Sequence, residues 1–150
     1  QRTLVMVKVS IEREFDSPAK TLWAMLANFG DISWIPGIDR VELEGSGVGM
    51  IRHVTTTGLP TLAERMDAID HRQMSLDYSV PSVAYMQVKN YTARAQVFEL
   101  PDNRCRLHWS CQCEADGIDE AQATANTNEF YKMIMLWVGQ YLDEQKEKNG

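Results

Sequence analysis

Apolar and polar residues alternate between positions 4 and 15: Val5, Val7, Val9 and Ile11 fall on one side, Lys8, Ser10 and Glu12 on the other. A period of two marks a strand with one buried face. Ser17-Pro18 then reads as an N-cap followed by proline in the first helical turn. A short helix over roughly 18–28 follows, with Leu22, Met25, Leu26 and Phe29 on one face. Gly30 ends it. Asp31 to Trp34 adds a second short helical turn before Pro36-Gly37 breaks the chain.

From there to residue 116 the pattern is strand and turn. Strands are expected near 38–44, 49–57, 61–70, 74–80, 87–100 and 104–115. They are separated by the Gly45-Gly47-Gly49 run, Gly58-Leu59-Pro60, a turn at 71–73, an irregular stretch opened by Pro81, and Pro101-Asp102-Asn103. Short consecutive strands with tight connections argue an antiparallel meander. The remaining segment, about 119–147, opens on Asp119 with Gln122 three residues on, in the manner of a capping box. It carries Phe130, Ile134, Trp137 and Tyr141 at helical spacing, flanked by Met133 and Val138. One helix there is about 43 Å long, and the sheet is the only surface large enough to take its apolar face. The chain is therefore read as α+β: a curved seven-stranded antiparallel sheet around a long C-terminal helix, with two short helices after the first strand.

Strand parity picks the inward residues. They are Leu76, Tyr78 and Val80; Tyr91, Ala93, Ala95 and Val97; and Leu107, Trp109, Cys111 and Cys113. The two alanines leave room for a cavity or for a large neighbour. Two inward positions break the apolar rule. Glu64 shares a face with Leu62, Met66 and Ala68, and Arg52 with Met50 and Val54. The turn at 58–60 puts Val54 opposite Glu64 and Arg52 diagonal to it, within reach of long side chains. Charged residues are seldom buried unpaired. The two form either a brace within the sheet or the polar floor of a ligand site. Proton transfer by Glu64, with Tyr78 as a second candidate, is a minor alternative. The aromatic residues Trp34, Tyr78, Tyr91, Trp109, Phe130 and Trp137 fit a packed core as well as a pocket wall.

Length and charge narrow the partners. At 150 residues the chain fits one domain spanning 1–150. A net charge of −6, from 15 basic and 21 acidic residues, lacks the basic footprint of nucleic-acid binding. No apolar run reaches the roughly 20 residues a bilayer span needs, so membrane insertion is not expected. Leu4 to Val9 is too short for a signal-peptide core and contains Lys8. Three cysteines, Cys105, Cys111 and Cys113, make no disulfide framework, and a cytoplasmic location follows as the expectation. Cys111 and Cys113 face the same way, but His108 lies on the opposite face, so no metal is expected. No phosphate loop or nucleophile elbow calls for a cofactor.

The order of elements, together with Ser17-Pro18, Leu22-Trp23, Trp34-Ile35-Pro36, Gly49-Met50-Ile51-Arg52, Gly58-Leu59-Pro60, Glu64-Arg65-Met66, Asp70, Tyr78-Ser79-Val80, Asn90-Tyr91 and Trp109, resembles the START/Bet v 1-like (SRPBCC) superfamily. The nearest branch is the bacterial one of polyketide cyclase/dehydrase and lipid transport. The resemblance implies a helix-grip fold with an internal cavity for a hydrophobic small molecule of lipid, polyketide or isoprenoid type. Its walls would be Trp34, Pro36, Arg52, Val54, Leu59, Pro60, Glu64, Tyr78, Tyr91, Trp109, Phe130, Ile134 and Trp137. Gly58-Leu59-Pro60 and Glu64 are also similar to the gate loop and pocket glutamate of plant abscisic-acid receptors. The latch position of those receptors falls at Met86-Gln87-Val88, which does not match. That likeness implies a cavity with a mobile lid and not that hormone. The family hosts binding modules and aromatase/cyclase or dehydratase enzymes alike, so it implies either a carrier or an enzyme using Glu64 as acid/base. The expected partner is the small molecule alone, with the chain a monomer or homodimer.

Overall fold

A computed structural model describes residues 6–149. The elements run β1 (Met6–Phe15), α1 (Ala19–Ala27), β2 (Arg40–Glu44), β3 (Ile51–Thr55), β4 (Leu62–Asp70), β5 (Ser75–Val83), β6 (Val88–Leu100), β7 (Arg104–Ala115) and α2 (Glu120–Asn149). The first residues of the expected first strand, including Val5, lie outside the described residues. All seven strands form one antiparallel sheet in the order β1-β7-β6-β5-β4-β3-β2. Every link is a hairpin except the pairing of β1 with β7, which sets the first and last strands of the chain side by side and leaves β1 and β2 as the two edges. The structure is the Bet v 1-like helix-grip fold. No helix among the described residues is long and apolar enough to cross a membrane.

Side-chain alternation sets the faces. Val7 and Val9 of β1, Leu76, Tyr78 and Val80 of β5, and Leu107, Trp109, Cys111 and Cys113 of β7 are buried, as their parity requires. Two bulges bend the sheet. Between Met66 and Ala68 the β4–β5 register shifts, and between Lys89 and Thr92 the β6–β7 register shifts; an extra residue in one strand increases local twist. The β4 bulge also changes faces. Ala68, expected inside, is exposed, and Ile69 packs on the core in its place. At the β6–β7 turn Asp102 and Asn103 both take left-handed backbone, φ 64° and 58°, which these short polar residues tolerate best after glycine.

Four expectations need correction. The second short helix is absent: the described residues hold two helices in all. Ile35 N–H donates to the Ile32 carbonyl at 2.9 Å, making a single turn. The Asp31 carboxylate takes the Ser33 amide at 3.0 Å, offering the backbone an alternative to helix, and Pro36 bars continuation. Ser17 is not the N-cap. Pro18 holds that position with no side-chain cap, and its carbonyl accepts from Thr21 and Leu22 at 3.1 and 3.4 Å. Pro81 does not end β5, which runs on to Val83. The β4–β5 pairing stops at Ser79, so the missing proline N–H faces no partner strand. Finally, the β3–β4 hairpin is tighter than expected: Arg52 stands directly opposite Glu64 and Val54 opposite Leu62. A shift of two preserves parity, so both charged residues still face inward.

The long helix buries a stripe of Ala123, Thr127, Tyr131, Ile134, Met135, Val138 and Leu142. Asp119 Oδ1 accepts from Gln122 N–H at 2.7 Å, but the Gln122 side chain reaches Asn126 and not back to Asp119, so only half of the capping box forms. Phe130, Trp137 and Tyr141 sit beside that stripe, half-buried, and Met133 is exposed. The helix runs close to β1 and β7. On the β3–β4 side it stands off from the sheet, and a space remains between them. The alanines of β6 do not create this space, because α1 lies against β6 and Ala95 is fully buried.

Candidate functional site

The space under α2 is a cavity of about 230 Å³. Each wall follows from an element already described. The turn after α1 contributes Ile32, Trp34, Ile35, Pro36 and Ile38; β3 contributes Arg52 and Val54; β4 contributes Leu62 and Glu64. Tyr78 and Trp109 form the side toward the central strands, and Phe130, Ile134 and Trp137 of α2 form the roof. Thr56 and Leu59 of the β3–β4 loop and Tyr85 of the β5–β6 loop complete the wall. A larger recess of about 520 Å³ lies on the opposite face of the sheet. It is polar and open, and its Arg94 and Asp77 satisfy each other through two bonds of 2.6 and 2.9 Å. Small-molecule sites are concave and mostly apolar with a few placed polar groups, which describes the inner cavity.

Of the residues named from sequence, the cavity brings together Trp34, Pro36, Arg52, Val54, Leu59, Glu64, Tyr78, Trp109, Phe130, Ile134 and Trp137. Pro60 and Tyr91 are not part of its wall. Pro60 is exposed in the loop, past the residue whose side chain turns in. Tyr91 faces inward but lies behind Tyr78, with 3.3 Å between their hydroxyls. Sequence reasoning missed Ile32, Ile35, Ile38, Thr56, Leu62 and Tyr85. It also missed Tyr131, a buried residue behind the cavity. A second apolar stripe on the helix, running through Ala123, Thr127 and Tyr131 at intervals of four, was the available signal.

The floor is polar. Arg52 Nε donates to Glu64 Oε1 at 2.5 Å, and Arg52 Nη1 donates to the Phe29 carbonyl at 2.8 Å. The guanidinium carbon also lies 3.8 Å from the centre of the Phe29 ring, within cation–π range. These contacts fix Arg52 from three sides, and both side chains are largely buried, 10% and 14% exposed. Behind the floor runs a chain of hydroxyls. Trp109 Nε1 donates to Tyr78 Oη at 3.1 Å, Tyr78 meets Tyr91 at 3.3 Å, and Tyr91 meets Tyr131 at 2.5 Å. Burial pushes the Tyr78 phenol above its ordinary range, and the nearby Glu64 charge adds to the effect. Burial likewise raises Tyr91 and Tyr131. All three stay protonated at neutral pH. The cysteines are free and buried; a thiol contact with Cys111, together with burial, raises Cys113. Among the described residues no three His, Cys, Asp or Glu side chains gather to hold a metal ion.

The mouth is built by the 56–61 loop. Leu59 lines the cavity while 42% exposed, and Gly58 takes φ 81° to make the turn. Thr57 Oγ1 donates to Asp39, tying the loop to the segment before β2.

The sequence pattern of polyketide cyclase / dehydrase and lipid transport proteins matches residues 6–135. The chain belongs to this family. No curated protein matches its sequence. Among solved structures, XoxI from Bacillus cereus superposes with a TM-score of 0.81 at 19% identity, covering 93% of this chain and 98% of that one. Norcoclaurine synthase from Thalictrum flavum, in complex with dopamine and hydroxybenzaldehyde, gives 0.75 at 16% identity, covering 94% and 88%. Ara h 8.0201 gives 0.75 at 17% identity, covering 93% and 99%. At such identities the likeness of this polyketide cyclase / dehydrase and lipid transport family member to them is one of fold.

Proposed function

We propose that this protein binds and carries a hydrophobic small molecule, of lipid, polyketide or isoprenoid type, in the cavity between the sheet and α2. The observation that carries the reading is a mostly apolar, aromatic-lined space with one internally neutralised ion pair at its floor. The size argues for a compact guest or for an opening lid: about 230 Å³ is below the roughly 300–1,000 Å³ of common ligand sites. Removing about 200 Å² of apolar ligand surface from water contributes roughly 5 kcal/mol before the cost of association. The 56–61 loop serves as the lid, with Leu59 as the residue that covers the guest.

The carrier reading leaves Glu64 out of proton transfer. Among the described residues that line the cavity, Glu64 is the single carboxyl, and Arg52 occupies one of its oxygens. A cyclase or dehydratase needs a second acid–base group converging on the same atom; the Tyr78 hydroxyl is already held by Trp109 and Tyr91, and burial pushes its phenol up.

Native mass spectrometry of protein purified gently from its own host tests the proposal. A stoichiometric adduct, released on denaturation, supports a carrier and names its cargo. A bare mass, with no compound from a hydrophobic library raising the melting temperature, overturns it. Leu59→Ala then tests the lid: faster release with an unchanged melting temperature is expected, and equal off-rates sink the gate.

A further inference from the structure

The charge balance of the cavity restricts the polar group a guest can bring. Two ionised side chains reach its wall, Arg52 and Glu64, and they neutralise each other. Thr56, Tyr78 and Tyr85 add only hydroxyls. An arginine grips a carboxylate with two parallel N–H bonds along one edge of the guanidinium. Here each such edge already has one of its two N–H groups engaged. Nε serves Glu64, and Nη1 serves the Phe29 carbonyl. Among the described residues, Nη2 meets no protein acceptor and Glu64 Oε2 meets no protein donor. Neither is a sealed-off polar atom, so each keeps accessible surface, and the cavity is the space that both side chains line. Around the ion pair, free N–H donors of Arg52 stand beside a free Glu64 oxygen, in a wall of zero net charge.

We infer that the polar end of the guest is uncharged and both donates and accepts hydrogen bonds, as a carboxamide, a hydroxyl or a hydroxy-carbonyl group does. The inference rests on the carrier reading above. A carboxylate would enter with its charge uncompensated and Glu64 facing it. An ammonium would meet Arg52 in the same way. Burying an unpaired charge costs more than a single hydrogen bond returns. A ketone uses a free donor and leaves the Glu64 oxygen dry and unpaired.

The test is displacement of a neutral fluorophore, N-phenyl-naphthylamine, from the full chain at neutral pH. The competitors share one two-ring scaffold: naphthamide, naphthyl methyl ketone and naphthoate. Naphthamide is expected to compete at a concentration at least about tenfold below naphthoate, a margin of about 1.4 kcal/mol, with the ketone between them. Naphthoate competing as well as naphthamide overturns the inference and leaves the carrier reading standing. No fluorophore binding, with no thermal shift from any of the three compounds, overturns both. Glu64→Gln uncovers the Arg52 charge. In that variant naphthoate should gain at least about tenfold on naphthamide, and an unchanged ratio overturns the inference. Should the variant fail to fold, the wild-type ratio decides the question alone.

Discussion

Replacing Arg52 by Met removes one half of an ion pair whose other half stays in the cavity wall. Three contacts go with it. The Glu64 bond is 2.5 Å, the Phe29 carbonyl bond is 2.8 Å, and the ring contact is 3.8 Å. Orphaning one partner of a fully buried pair costs about 3–5 kcal/mol. Glu64 keeps 14% of its side-chain surface, so cavity water relieves part of that, and about 3 kcal/mol is expected for Arg52→Met. Glu64→Leu should cost less, about 1–2 kcal/mol, because Arg52 retains the Phe29 carbonyl and ring. The double variant carries no orphan charge and should cost about 2–3 kcal/mol, well under the sum of the singles. Urea unfolding of all four proteins gives the coupling directly. At this size 3 kcal/mol corresponds to a melting temperature lowered by roughly 6–12 °C. Strict additivity, within about 0.3 kcal/mol, would refute the mutual pairing on which both the floor and its neutral charge depend.

Alkaline titration should destabilise the fold through the hydroxyl chain. Burial raises Tyr78, Tyr91 and Tyr131 above their ordinary value of 10.0. A raised acid contributes stability that is complete below its unfolded pKa and is lost as pH climbs past it. Each tyrosine then removes about 1.4 kcal/mol per pH unit, and the three together about 4; a urea midpoint that stays flat from pH about 9 to about 11 contradicts this. Tyr131→Phe leaves the Tyr91 hydroxyl with only its 3.3 Å neighbour and should cost about 1–2 kcal/mol in the same assay. Ile134→Trp puts an indole into the roof of a 230 Å³ space. Fluorophore binding should fall at least about tenfold while the circular dichroism spectrum stays unchanged; full binding would place the guest elsewhere.

The sheet was legible because its periodicity is strict. Every strand named from alternation exists, and in β1, β5 and β7 the apolar parity matches the buried face, since a slip of one residue would turn the whole set outward. Failures came where local chemistry competes with pattern. Asp31 to Trp34 has room for one more helical turn, yet the Asp31 carboxylate takes the Ser33 amide and leaves a single turn. The Asp67 bulge swaps Ala68 for Ile69, and an inserted residue leaves no trace in hydrophobicity. On α2 the reading followed Phe130 and missed Tyr131. Neighbouring residues on a helix point about 100° apart, and the small residues Ala123 and Thr127 marked the buried face.

The candidate site shows the same division between what alternation fixes and what it leaves open. Arg52 and Glu64 stood out because two charges on apolar faces of adjacent strands have few physical outcomes other than a pair. Their exact opposition depended on hairpin length, and a shift of two residues is invisible to parity. Tyr91 shows why an inward position is not a cavity position. Its ring faces the interior, but Tyr78 and Trp109 bond to each other in front of it, and its own hydroxyl is spent on Tyr131. The hydroxyl chain therefore closes the cavity toward the central strands. The space that remains is bounded by loops at 56–61 and 84–87 and by the turn at 32–36, the segments whose geometry alternation says least about. The polar floor comes from two strands of fixed register and the variable walls from three connections. Guest size can thus change through the loops while the donor–acceptor demand of Arg52 and Glu64 stays constant.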